Sequence, residues 1–256
     1  MQVQKKQISV VMPALNEEHN IKAAIDNVIS SFSEYNLAGE IIVINDGSTD
    51  NTANFIKEEI SLGKGCDIKL INHDKPHGVG ASFWDGVDLS EGGIVVMLPG
   101  DNENDPREIF RYCKLLEHVD IVIPFVFNKE VRSIFRNALS FIYRFIINST
   151  FFVNFNYTNG TILYRRSILN ELDYKSSGFF FQTDILIRLV KKGYLFSEVP
   201  YKLSTRKGEV SKAVSFPSLL QVIKGYLRLV KDNCKGRGRQ SENFSDDSQT
   251  AVRRDI

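Results

Sequence analysis

Short apolar runs alternate with amphipathic stretches along the first half of the chain. The runs are too short for buried helices, and the stretches between them repeat apolar side chains every three or four residues, as Ile21, Ile25 and Val28 do. This alternation predicts strands joined by helices. Because the strands are apolar on both faces, we expect a parallel sheet with helices on both sides. The predicted strands are 8–12, 41–44, 68–71 and 94–98, and the predicted helices are 17–32, 51–61 and 79–89.

The second half of the chain repeats these elements less regularly. Its pattern predicts one α/β domain over residues 1–233, closed by an amphipathic helix. After residue 233 the sequence becomes polar and poor in hydrophobic residues, which predicts a disordered tail over 234–256. The predicted helices of this half are 106–117, 130–148, 179–192 and 217–232, and the predicted strands are 120–124, 161–164 and 196–199.

Composition narrows the possible classes of protein. The 256 residues include 32 Lys and Arg and 31 Asp and Glu, so the net charge is +1. Nucleic-acid binding would favour a clear basic excess, so we expect no nucleic-acid partner. Three widely separated cysteines exclude a disulfide framework and suit a reducing compartment. We also expect no signal peptide and no transmembrane helix, because polar residues interrupt the longest uncharged stretch, 145–164.

Polar residues follow three of the predicted strands. Open parallel sheets bind ligands beyond the carboxyl ends of their strands. In the first loop Asn16 is placed to cap a helix and Glu17 suits its positive end. In the second loop Asp46 can accept hydrogen bonds from a base or a ribose. Each loop taken alone is also explained by a capped helix or a turn.

The third loop, 99–105, has the residue types of a metal site. On an extended chain Asp101 and Glu103 would point to the same side, about 7 Å apart. Two carboxylates suit Mg²⁺ or Mn²⁺ bridging a pyrophosphate, although a solvated acidic turn has the same sequence. The three loops together, on one edge of a parallel sheet, predict a site for a nucleotide diphosphate.

These segments resemble the family 2 glycosyltransferases, whose motifs occur here in the same order and with the same spacing. The resemblance implies the GT-A fold, with a mostly parallel Rossmann-like sheet covered by helices. It also implies a nucleotide-binding half over 1–105 and an acceptor-binding half over 106–233, with Mg²⁺ or Mn²⁺ held by Asp101 and Glu103. The nucleotide-sugar-binding residues that it implies are Pro13, Ala14, Asn16, Glu17, Asp46, Gly78, Gly80, Asp101, Asn102, Glu103 and Gln182.

Later motifs are similar to the branch that glycosylates polyprenyl phosphates, such as dolichyl-phosphate mannose synthase. They include an aromatic-Gln-x-acidic helix at 181–184 and a basic loop at 206–212. The resemblance implies an inverting transfer of a sugar from a UDP or GDP donor to a polyprenyl phosphate. The catalytic residues that it implies are Asp101, Asp184, Arg206 and Lys212, and the acceptor-phosphate residues are Arg136, Arg206, Ser211 and Lys212.

Four positions depart from these motifs, and they leave other functions open. Asn45 and Asn156 stand where aspartate is usual, and Val126 stands where the mannose-transferring members have arginine. Glu103 ends the metal motif but is still a hard carboxylate ligand. The donor sugar therefore stays undetermined.

One alternative is transfer to a saccharide hydroxyl in polysaccharide synthesis, with Asp184 as general base. The other is a catalytically silent nucleotide- or lipid-binding protein. A sugar nucleotidyltransferase is disfavoured because no Gly-rich triphosphate loop follows the first strand.

Two apolar surfaces suit a membrane. The last predicted helix has an apolar stripe beside a basic stripe, a pattern that fits packing on the domain as well as docking on lipid. An aromatic run over 141–155 is the second candidate. With a polyprenyl-phosphate acceptor, we expect a cytoplasmic protein, peripheral at the cytoplasmic face of a membrane. Whether a separate subunit anchors it stays open.

Overall fold

A seven-stranded sheet runs through the centre of the domain. The computed structural model describes residues 5–128, 134–202, 216–236 and 243–254, with the backbone alone at 134–136, 216–218 and 235–236. The strand order is β3-β2-β1-β4-β6-β5-β7. The strands are β1 (Ile8–Ala14), β2 (Gly39–Asn45), β3 (Asp67–Asn72), β4 (Ile94–Met97), β5 (Ile121–Val126), β6 (Leu163–Arg165) and β7 (Phe196–Tyr201).

Six of the seven strands run in one direction. Strand β1 pairs in parallel with β2 from Ile8↔Gly39 to Ala14↔Asn45, and with β4 on its other side. Strand β6 alone runs opposite to its neighbours β4 and β5. The prediction of a mostly parallel sheet is confirmed. As a consequence, β1, β2 and β4 end at the same edge, which brings the three polar loops together.

Helices cover both faces of the sheet, as predicted. Alternate residues of each strand face opposite sides, so Ile41 and Val43 pack in one core cluster and Ile42 and Ile44 in the other. Helices α1, α2 and α4 cover the first face, and α3, α5, α7 and α8 cover the second. The helices are α1 (Ile21–Glu34), α2 (Thr52–Ser61), α3 (Val79–Leu89), α4 (Pro106–Phe110), α5 (Ile134–Phe151), α6 (Arg166–Leu169), α7 (Phe181–Lys192), α8 (Phe216–Gly236) and α9 (Gln249–Arg254).

A buried carboxylate links three segments at the amino edge of the sheet. Glu40 is inaccessible to solvent, and it accepts hydrogen bonds from Ser9 Oγ and the Glu91 backbone N–H, both at 2.6 Å. Lys6 and Lys69 each place Nζ 2.9 Å from its Oε2. Burial alone would raise the pKa of Glu40, but hydrogen bonds from Lys69, Ser9 and Lys6 lower it to about 2.

The predicted disordered tail is wrong for residues 243–254. Helix α8 runs on to Gly236, and the short helix α9 docks at the sheet. The buried Asp120 carboxylate accepts hydrogen bonds from the backbone N–H groups of Gln249 (2.6 Å) and Thr250 (3.1 Å). The Phe244 ring also packs edge-on against Tyr194. A few such anchors order a polar segment whose composition predicts disorder, because they satisfy buried groups of the domain.

The other differences from the predicted elements are small. The predicted helix over 106–117 is α4 followed by a 3₁₀ turn, Cys113–Glu117. Helix α6 was not predicted because four residues are too few to show a helical period. In the part of the chain that the structure describes, no helix is long and apolar enough to cross a bilayer. Helix α8 packs Leu229 in the core but leaves Leu219, Leu220, Ile223 and Leu227 exposed.

Candidate active site

One cavity of about 1070 Å³ lies where the loops after β1, β2 and β4 meet. Its first wall comes from residues 13–17, 46, 76–79 and 97–104. Its second wall comes from α5, the segment 156–161 and the start of α7. Eight of the predicted donor-binding residues line the cavity: Pro13, Ala14, Glu17, Asp46, Gly78, Asp101, Glu103 and Gln182. Asn16, Gly80 and Asn102 do not.

Asn16 joins two loops and does not cap a helix. Its backbone has a positive φ of 56°, and α1 begins later, at Ile21. The Asn16 amide oxygen accepts a hydrogen bond from the Thr49 backbone N–H at 2.9 Å, and the Asn16 N–H donates to Ser48 Oγ at 2.9 Å. The predicted N-cap is therefore wrong. Asn16 instead fixes the loop after β1 against the loop after β2, both of which border the cavity.

Asp46 is bound by the loop that follows β3. Its Oδ1 accepts hydrogen bonds from His77 N (2.8 Å) and lies 2.7 Å from His73 Nδ1, while Oδ2 accepts from Gly78 N (3.0 Å). Burial raises the pKa of Asp46, but these hydrogen bonds outweigh it and the pKa is lowered. Asp46 thus stays charged and holds the 73–78 loop, of which Pro76 and Gly78 line the cavity.

His73 does not line the cavity but supports the lining residue Asp46, a role that the sequence did not reveal. Its other ring nitrogen, Nε2, lies 3.0 Å from Asp85 on α3, and its ring stacks on His77 with centroids 4.3 Å apart. The strand before it carried no recognised motif. The one feature of the sequence that could have indicated this role is the position of His73 directly after β3, at the same edge of the sheet as Asp46.

The glycines at the start of α3 have different roles. Gly78 has φ of 100°, a conformation that side chains disfavour, and its N–H reaches Asp46. A Cβ on Gly80 would lie 2.4 Å from the Ser176 carbonyl oxygen. Gly80 therefore permits α3 to pack on the 176–177 backbone, and it does not line the cavity.

The loop after β4 presents its carboxylates from a tight turn. Asn102 has φ of 57°, and the Glu103 N–H donates to Asp101 Oδ1 at 3.1 Å. The predicted extended geometry is wrong, because an Asx-type hydrogen bond closes the turn. Asn102 points elsewhere and accepts a hydrogen bond from the Asn27 side chain at 2.8 Å. Asp101 and Glu103 still line the same cavity.

The donor set at this turn fits a hard divalent cation shared with a ligand. Mg²⁺ in nucleotide sites is bound through one or two carboxylates together with substrate phosphates. Asp101 and Glu103 provide two such carboxylates. Among residues 5–128, 134–202, 216–236 and 243–254, no three His, Cys, Asp or Glu side chains come together as a metal cage.

The second wall is rich in aromatic residues and amides. Gln182 is almost fully buried, and its Oε1 accepts a hydrogen bond from Tyr164 OH at 2.9 Å. Tyr143 OH lies 2.7 Å from Thr183 Oγ1, a contact that joins α5 to α7. The motifs singled out in the sequence include only part of this wall, namely Val126, Asn156, Phe181 and Gln182, and the aromatic run over 141–155 was predicted to be a membrane surface. The wall includes Phe125, Tyr143, Arg144, Tyr157, Thr161 and Phe181.

Asp184 lies behind this wall and not in it. It is 1% exposed, and its Oδ2 accepts from Arg188 Nε at 2.9 Å. Arg188 also bonds Asp232 of α8 at 2.7 Å. Burial raises the pKa of Asp184, and the bond from Arg188 partly offsets this. The carboxylate is thus part of an ion-pair bridge between α7 and α8. Arg206, Ser211, Lys212 and the Arg136 side chain lie outside the described residues.

Solved structures share this architecture. The glucosyl-3-phosphoglycerate synthase of Mycobacterium tuberculosis, solved with Mn²⁺, UDP and phosphoglyceric acid, superposes with a TM-score of 0.65. The match covers 88% of this chain and 78% of that protein, at 22% sequence identity. The fold is therefore of the GT-A type, as predicted.

Sequence comparison gives the family. The model of glycosyl transferase family 2 matches residues 9–173, so the chain belongs to that family.

Two curated relatives act on polyprenyl phosphates according to their names. The dodecaprenyl-phosphate galacturonate synthase of Rhizobium johnstonii is 25% identical over 173 residues, covering 66% of this chain and 51% of that protein. The undecaprenyl-phosphate 4-deoxy-4-formamido-L-arabinose transferase of Serratia proteamaculans is 28% identical over 142 residues, covering 56% and 43%. The chain thus spans about half the length of the curated relatives it matches.

Proposed function

We propose that the protein transfers a sugar from a UDP or GDP donor to a polyprenyl phosphate, with inversion at the anomeric carbon. The observation that carries this proposal is the single cavity joining the Asp46 loop, the Asp101–Glu103 turn and an aromatic wall. The named activities of the curated relatives support it. A polyprenyl-phosphate acceptor also supports a peripheral position at the cytoplasmic face of a membrane.

The reaction is a single displacement. An oxygen of the acceptor phosphate forms a bond to C1 of the sugar, and the bond between C1 and the nucleotide diphosphate breaks on the opposite side. The acceptor oxygen is already anionic, so no side chain has to remove a proton. Mg²⁺ or Mn²⁺ held by Asp101 and Glu103 would neutralise charge on the departing diphosphate. Asp46 would fix the nucleoside end by holding the 73–78 loop, and Arg206 and Lys212 would hold the acceptor phosphate.

The direct test uses the full chain with Mn²⁺, a panel of UDP-, GDP- and dTDP-sugars, and undecaprenyl or dolichyl phosphate in detergent. We expect one donor to give a glycolipid, with release of nucleoside diphosphate that depends on the lipid. Diphosphate release at the same rate without lipid, and no glycolipid, would contradict the proposed acceptor and favour a saccharide hydroxyl.

Asp184→Asn separates the two kinds of acceptor. Because a phosphate acceptor needs no base and Asp184 is paired with Arg188, we expect the transfer rate to stay within about threefold of wild type. The variant should unfold at lower temperature, since one charged hydrogen bond is weakened at a cost of about 1–3 kcal/mol. A fall of about a hundredfold or more in kcat, with the fold intact by circular dichroism, would instead identify Asp184 as a general base.

His73→Phe tests whether the 73–78 loop is set through Asp46. The variant keeps a ring that can stack on His77 but loses the contact with Asp46. We expect nucleoside diphosphate to bind about tenfold more weakly by calorimetry, since an interaction with a charged group is lost. Asp85→Asn is the matched control on the other side of the ring; it is more exposed and should change the Kd about twofold at most. If both variants change the Kd for nucleoside diphosphate equally, the contact between His73 and Asp46 does not set the position of the 73–78 loop.

A further inference from the structure

Helix α5 exposes an unusual number of large apolar side chains. Its inner face packs Ile147 and Phe151 in the core, while five other residues are between 39% and 63% exposed. Their spacings of three and four residues place them along one side of the helix. A contiguous apolar surface of this kind marks a contact site. The five residues, here called the α5 strip, are Leu139, Phe141, Ile142, Phe145 and Ile146.

The α5 strip begins at the mouth of the cavity. Leu139 and Phe141 belong to the strip and also line the cavity, and so does the neighbouring Arg144. An extended apolar molecule lying along the strip would therefore reach the cavity without leaving apolar surface. The exposed stripe of α8 has no such continuity, because none of the exposed side chains described on α8 (residues 219–234) lines the cavity.

The charged side chains that line the cavity indicate which head group this apolar molecule would carry. Glu17, Asp46, Asp101 and Glu103 give the described lining an acidic character, and Arg144 is the one basic side chain among the described lining residues. One Arg144 N–H donates to the Asn156 carbonyl oxygen at 3.2 Å, and the guanidinium lies 5.6 Å from the Phe141 ring centre. Asn156 is itself held to Glu198 by two hydrogen bonds of 2.6 and 2.8 Å. A guanidinium fixed in this way, with five N–H groups in all, is suited to a phosphate.

We propose that the α5 strip binds the apolar chain of the polyprenyl-phosphate acceptor and that Arg144 binds its phosphate at the cavity mouth. This inference rests on the proposed function and adds the acceptor's path to it. It explains why α5 is apolar on its outer side as well as on its core face, and why a cation is placed where the strip meets the acidic cavity.

The test compares a long acceptor, undecaprenyl phosphate, with the short, soluble geranyl phosphate. For Arg144→Gln we expect the KM of both acceptors to rise about tenfold or more, with the donor KM and kcat near wild type. Arg144→Lys should recover part of the loss, since the charge remains. For Phe145→Glu we expect a higher KM for the long acceptor alone. Leu62→Glu is the matched control, as exposed as Phe145 (62% and 63%) but at the far end of α2.

Four results would overturn the inference. The first is an unchanged acceptor KM in Arg144→Gln, and the second is an unchanged ratio of long to short acceptor KM in Phe145→Glu. The third is a wild-type dimer that Phe145→Glu makes monomeric, which would assign the strip to a second copy. The fourth is acceptor-free phosphatidylcholine vesicles that bind wild type but not Phe145→Glu, which would assign it to the bilayer.

A separate measurement of binding to detergent micelles that contain undecaprenyl phosphate distinguishes failure of the proposed function from failure of the proposed acceptor path. If wild type makes no glycolipid but binds these micelles, and Arg144→Gln does not, the acceptor path stands and the transfer reaction is wrong. If wild type binds no micelles, the acceptor path is wrong.

Discussion

Asp101→Asn is expected to reduce sugar transfer about a thousandfold or more while the domain stays folded. The side chain lines the cavity from the turn after β4, and its Oδ1 also accepts the Glu103 N–H that closes this turn. Asparagine can keep that hydrogen bond but loses the charge that a divalent cation requires. The measurements are the initial rate of glycolipid formation and the affinity for Mn²⁺ in the presence of nucleoside diphosphate, which should both fall.

Asp105→Asn is the control from the same loop. Asp105 caps α4 by accepting the Arg107 N–H at 3.0 Å, and asparagine caps a helix equally well. This variant removes one negative charge four residues away and should keep nearly all activity. If Asp101→Asn transfers sugar at the wild-type rate, or if chelation of divalent cations leaves that rate unchanged, the metal assignment is wrong.

The second large effect concerns stability. Glu40→Ala is expected to lower the free energy of unfolding by about 3–5 kcal/mol, because it breaks a buried charge network by removing one partner. Ser9 Oγ and the Glu91 N–H would lose their acceptor, and the two lysines would lose their buried counter-charge. Urea unfolding followed by circular dichroism measures the loss. Glu58→Ala removes an exposed partner of Lys22 and should cost less than about 1 kcal/mol.

The same carboxylate predicts a dependence of stability on pH. Its pKa is lowered from 4.5 to about 2 on folding, so its contribution is fully present above about pH 4.5 and is lost as the pH falls towards 2. We expect the stability difference between wild type and Glu40→Ala to narrow over that range. If the difference in free energy of unfolding between wild type and Glu40→Ala is constant from pH 7 to pH 2, the charge of Glu40 does not contribute to stability.

The pattern of apolar residues was sufficient for the architecture of the sheet. All seven strands were predicted within a few residues. The central parallel strands β1, β2 and β4 gave the clearest signal, because burial on both faces leaves a short, continuous apolar run. The first wall of the site was predictable for a related reason. Its residues follow strand ends, and the carboxyl ends of parallel strands share one edge, so Asp46 and Asp101 were expected at the same edge, where both line the cavity.

The second wall could not be predicted in the same way. Its residues come from α5, an irregular segment and α7, and only packing of β6 against the parallel strands brings them to the first wall. The predicted N-cap at Asn16 and the predicted extended geometry of residues 101–103 were wrong because Asn16 and Asn102 both adopt a positive φ. The spacing of apolar residues carries no information about such a backbone conformation. Asp184 was placed on the correct helix, but its burial against Arg188 depends on α8.

The docking of α9 has a consequence for the order of events in folding. Asp120 and Thr250 are separated by 130 positions, so their hydrogen bonds join segments that lie far apart in the sequence. During synthesis the strand that follows Asp120 is available long before residue 250 leaves the ribosome. Until then the carboxylate is without the N–H donors of Gln249 and Thr250, so we expect the region around β5 to acquire its full protection against hydrogen exchange only after residue 250 has been synthesised.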